Sequence, residues 1–66
     1  MADRPEARII ARRDSAGNTE LSVYEPASGR EHRTGWTEGR HTSERSIERL
    51  KQTLERSGNH VTVKEL

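Results

Sequence analysis

With 66 residues the chain is long enough for one small domain and no more. Twelve Lys and Arg against eleven acidic residues leave a formal net charge of +1, so the chain is no polycation and any nucleic-acid contact has to come from a local patch. The absence of cysteine excludes disulfides and thiolate metal sites, and no apolar run has the length of a secretory signal or a membrane span, which makes cytoplasm the expected location.

Residues 1–6 read as a short N-terminal tail and residues 7–66 as a single domain. Residues 7–13 are the first predicted strand, with Ile9 and Ile10 at its centre. Asp14, Gly17 and Asn18 then supply turn chemistry, and residues 19–25 follow as a second strand carrying Leu21, Val23 and Tyr24, so the pair reads as a β-hairpin. Pro26 and Gly29 suit another tight turn. Residues 31–36 are a weaker third strand, without an aliphatic residue and interrupted by Gly35. The clearest pattern is a helix over residues 42–57, where Ile47, Leu50 and Leu54 recur at helical spacing. Thr42 or Ser43 is placed to cap its start, Glu44 falls in its first turn, and Gly58 stands where a left-handed C-terminal cap is expected. Val61 and Val63 alternate with polar residues in a last strand over residues 60–66. The order β-β-(β)-α-β predicts an α+β domain: a small, mostly antiparallel sheet of three to four strands with one helix packed on one face.

Alternation assigns the two faces of that sheet. One carries Ile9, Ala11, Leu21, Val23, Val61 and Val63 and is matched to Ile47, Leu50 and Leu54 of the helix. Burying each large aliphatic is worth roughly 1.5–3 kcal/mol, so this core suffices for a small domain but is thin. Leu, Ile and Val total only ten residues and Phe is absent. A thin core gains stability from association with a partner.

The opposite face would carry Arg8, Ile10, Arg12, Tyr24, Lys64 and Leu66 beside Glu20, Ser22 and Glu31, with Arg33 added if the third strand forms. Mixed aromatic, aliphatic and arginine composition is typical of contact surfaces, although single exposed apolar residues are ordinary. The chain has ten Arg and two Lys. The planar guanidinium suits bidentate contact with carboxylates, phosphates or base edges, whereas codon bias in a GC-rich genome gives the same count without function. The helix is divided as well: Glu44, Glu48 and Glu55 share one flank, and Arg45, Arg49 and Arg56 form a basic strip on the other. Such a helix can dock on complementary charge, including a symmetry copy, or be a solvated charged face.

No arrangement of residues points to catalysis. His32, His41 and His60 fit no zinc-finger or metalloprotease spacing, no serine sits in a nucleophile elbow, and the glycines match no phosphate or dinucleotide loop. Neither a metal nor a cofactor is expected. Arg40, His41, Thr42 and Ser43, at the helix start where backbone N–H groups attract anions, are a candidate anion site; a plainly capped helix is the simpler reading. Trp36, the single Trp, is expected to close the core, and exposed it would be a binding anchor.

Residues 19–58, through the strand pair around Tyr-Glu-Pro-Ala-Ser-Gly-Arg, the Gly-Trp-Thr-Glu-Gly loop and the helix beginning Thr-Ser-Glu, resemble in layout the arm-type DNA-binding domains at the N-terminus of tyrosine recombinases. That resemblance implies a small sheet inserted into the major groove. The final strand and the near-neutral charge depart from it. The residues themselves lead to a non-enzymatic interaction module that binds a protein partner or a second copy of itself through the outer sheet face. The alternative is a DNA-binding module in which Arg8, Arg12, Arg33 and Lys64 contact the nucleic acid.

Overall fold

The computed structural model describes residues 4–66, and the backbone alone for residues 40–43. Strand β1 is Glu6–Arg13, β2 is Thr19–Glu25, β3 is Arg30–Thr37, helix α1 is Arg40–Arg56 and β4 is His60–Glu65. The fold is α+β: one helix packed on a four-stranded sheet in the order β3-β2-β1-β4. The strands β1, β2 and β3 form an antiparallel meander, and β4 returns parallel to β1 after the helical crossover.

Local chemistry fixes the two turns. The Asp14 carboxylate accepts the backbone N–H groups of Ala16 and Asn18, each at 2.9 Å, closing the first turn as Asp does. In the second turn the Glu25 carbonyl accepts the Gly29 N–H at 2.8 Å, with Gly29 at φ 73°. Both positions flank the meander and hold its register.

The third strand forms although it contributes no aliphatic side chain. Its ladder with β2 is supplemented by the hydroxyls of Thr34 and Thr37, which donate to the carbonyls of Leu21 (3.2 Å) and Thr19 (3.5 Å). An edge strand needs backbone pairing more than apolar content. The ladder is interrupted once: Leu21 pairs with Gly35 and Ser22 with Arg33, which leaves Thr34 as the extra residue of a bulge.

The helix begins two residues before the expected start. Its N-cap is Gly39 at φ 78°, without a side-chain capping bond and without an acidic residue in the first turn. The cap expected at Thr42 or Ser43 is therefore replaced by a glycine hinge, whose positive φ turns the chain sharply from β3 into the helix. Thr42 and Ser43 belong to the helix, and Glu44 lies beyond its first turn. The C-terminus behaves as expected. Gly58 takes φ 91°, its N–H bonds the Glu55 carbonyl, and the Asn59 N–H bonds the Leu54 carbonyl. This is the paired bonding of a Schellman motif, and the Asn59 side-chain amide donates a second bond to the Leu54 carbonyl at 3.0 Å.

The core lies where the helix crosses the centre of the sheet. Ile9, Ala11 and Leu21 are buried, with Ile47, Leu50, Leu54 and Val61 packed against them. Val23 is buried as well. Strand β1 is buried over Ala7, Ile9, Ile10 and Ala11 because it has a neighbour on each side. Val63, expected in the core, is 41% exposed, because β4 is an edge strand and leaves one side of that residue uncovered. Trp36 does not close the core either: it is 55% exposed on edge strand β3. No described helix is long and apolar enough to cross a membrane.

Candidate binding face

The face opposite the helix is built from three rows of cross-strand partners, because residues paired across strands share a face. The first row joins Thr62, Arg8, Tyr24 and Glu31, the second Lys64, Ile10, Ser22 and Arg33, and the third Arg12, Glu20 and Trp36. Glu6 lies beside the first row, paired with His60. The structure thus brings Arg8, Ile10, Arg12, Tyr24, Arg33 and Lys64 onto one surface with no second layer of the described chain over it.

Most of its cations are held by carboxylates of the same face. Arg12 reaches diagonally over β2 to Glu31, with both terminal nitrogens on the carboxylate at 3.3 and 3.4 Å. Arg33 approaches Glu20 at 3.3 Å and Arg8 approaches Glu6 at 3.5 Å. Arg8 also lies over the Tyr24 ring, 5.8 Å from its centroid, within cation–π range. These side chains are partly exposed, Arg33 as much as 74%, so each ion pair adds about 0–1 kcal/mol at most. Their consequence is geometric. The Arg12–Glu31 pair spans β2 beside the middle row, where Ile10 is 8% exposed and Ser22 1% exposed without a packing layer above them. Ile10 is therefore a buried support of this face and not a contact residue. Tyr24 is half-buried, while Lys64 and Leu66 stand exposed at the β4 edge.

Arg45, Arg49 and Arg56 are exposed on α1 and make no ion pair among the described residues. The side chains of Arg40, His41, Thr42 and Ser43, the candidate anion site, lie outside the described residues. His32 and His60 are exposed, and no cluster of metal-ligating side chains occurs among the described residues.

Two participants escape sequence reasoning. Glu6, assigned to the tail, is the partner of Arg8; the start of β1 one residue early puts it there. Trp36, assigned to the core, stands opposite Glu20 because the bulge at Thr34 shifts the alternation of β3. Comparison with family models, with curated proteins and with solved structures finds no match for this chain.

Proposed function

We propose that the chain is a non-enzymatic interaction module whose outer sheet face binds a protein surface, a second copy of the chain included. The observation that carries this reading is the pairing of charges within the face. Arg8, Arg12 and Arg33 each sit beside a carboxylate, so the surface alternates in sign around Tyr24. Alternating charge with an aromatic centre complements another protein surface, and a two-fold axis brings such a pattern into register with itself. Binding to the phosphates of DNA would require each of these arginines to leave its glutamate. The salt-dependent gain from counterion release is reduced accordingly.

The test is sedimentation equilibrium from micromolar to millimolar concentration, with amide NMR shifts followed over the same series. The expected result is a mass and a melting temperature that rise with concentration, with shifts on Tyr24, Ser22 and Lys64, and their loss in Tyr24→Asp. A strictly monomeric chain removes the self-associating form. Salt-sensitive shifts on Arg8, Arg12 and Lys64 with duplex DNA would overturn the protein-binding reading in favour of the nucleic-acid one.

A further inference from the structure

On the helix side of the sheet, β3 carries no aliphatic side chain, and α1 does not cover it. An open groove of about 360 Å³ results between β3 and the helix, near the lower bound of small binding sites. Its floor is Leu21, Leu50 and Gly35, and a Cβ built on Gly35 meets nothing within 4 Å. The exposed Trp36 and the hydroxyl-bearing Ser46 and Thr53 line it, and Arg49 stands at its rim. Arg49 is the one charged residue that lines it. The basic strip of α1 runs along this flank with no ion-pair partner among the described residues, whereas Glu48 and Glu55 are on the other side of the helix. An apolar floor below an uncompensated row of guanidinium groups complements an apolar side chain flanked by carboxylates.

We propose that this groove is a second binding site, separate from the outer face, and that it takes an acidic peptide segment with an apolar anchor residue. The anchor lies on Leu21 and Leu50 in the space left by Gly35, and the flanking carboxylates meet Arg49 and Arg45. Trp36 closes the open end. Apart from Trp36, which borders both surfaces, the outer face has no part in this contact.

The test uses two short capped peptides, one alternating glutamate and leucine and one alternating lysine and leucine, titrated into the labelled full chain. Saturable amide shifts on Gly35, Thr37, Ser46 and Thr53 with the acidic peptide alone are expected, together with a change in Trp36 fluorescence. Arg49→Glu should weaken binding at least about tenfold, the loss expected for one charge-assisted contact. Gly35→Val, which fills the floor, should do the same while its circular dichroism spectrum stays that of the parent. Equal binding of both peptides, no saturable shift at millimolar peptide, or parental affinity in folded Arg49→Glu would overturn the proposal. Shifts confined to Tyr24, Arg8 and Lys64 would overturn it too, and would leave the outer-face reading standing. Loss of self-association without loss of peptide binding would do the reverse.

Discussion

Thr62 is the one described side chain whose hydroxyl is buried without a hydrogen-bond partner. It sits on β4 opposite Arg8. An unmade hydrogen bond of this kind costs about 1–3 kcal/mol in desolvation. Thr62→Val keeps the branched shape that suits a strand and removes the polar atom. It should stabilise the fold by about 1 kcal/mol, which raises the melting temperature of a domain this small by roughly 4–8 °C; thermal denaturation followed by circular dichroism measures it. An unchanged or lower transition would show that the hydroxyl is satisfied in solution. At this scale the sequence is readable wherever alternation alone decides. The row Arg8, Tyr24 and the row Ile10, Ser22 follow from counting by two along β1 and β2. The burial of Ile10 does not follow, nor does the pairing of Arg12 with Glu31 across a strand neither belongs to.

The two ends of α1 show what local patterns can and cannot specify at the level of an element. Thr42, Ser43 and Glu44 have the composition of a helix start, yet the helix begins at Arg40 behind Gly39. Which residue caps a helix is decided by the direction from which the chain arrives, and that direction is set by the end of β3. The C-terminus is different: Leu54, Gly58 and Asn59 close it by bonds among near neighbours, so the glycine alone announces it. Gly58→Ala forces a Cβ into the left-handed region and should cost about 1–2 kcal/mol. Urea denaturation should show the midpoint moving down with an unchanged slope. A midpoint equal to the parent's would mean that the Asn59 side-chain bond to Leu54 holds the helix end without the left-handed residue. The third strand lies between these cases. Its turn signal at Pro26 and Gly29 is local and legible. Gly35 within the strand is a local hint of the bulge at Thr34, but it does not say which residue is the extra one, so the exposure of Trp36 and the groove beside it stay hidden in the sequence.

At the scale of the whole molecule the sheet is organised around β1. It pairs with β2 through a short turn and with β4 across nearly the full described chain, Glu6 standing opposite His60 and Ala11 opposite Glu65. The ladder is extended at both ends, by the His60 N–H on the Pro5 carbonyl and the Leu66 N–H on the Ala11 carbonyl, each at 2.9 Å. Removing residues 60–66 should therefore do more than shorten an edge. It strips Val61 from the core and leaves one side of β1 unpaired, so the cooperative thermal transition should be lost; a truncated chain that melts cooperatively near the parent temperature would show that the meander and helix suffice. The α+β class and the helix-covered face were legible in the sequence because hydrophobic period determines them. The strand order was not, since no residue pattern says on which side of the meander a returning strand will dock.

The parallel pairing of β1 with β4 also has a meaning in time. As the chain leaves the ribosome, β1, β2 and β3 can assemble from neighbouring segments within moments of their synthesis. The other side of β1 then waits for a strand made near the end of these residues. Until β4 docks, that side of β1 is an unpaired strand edge, of the kind on which a strand of another chain can add.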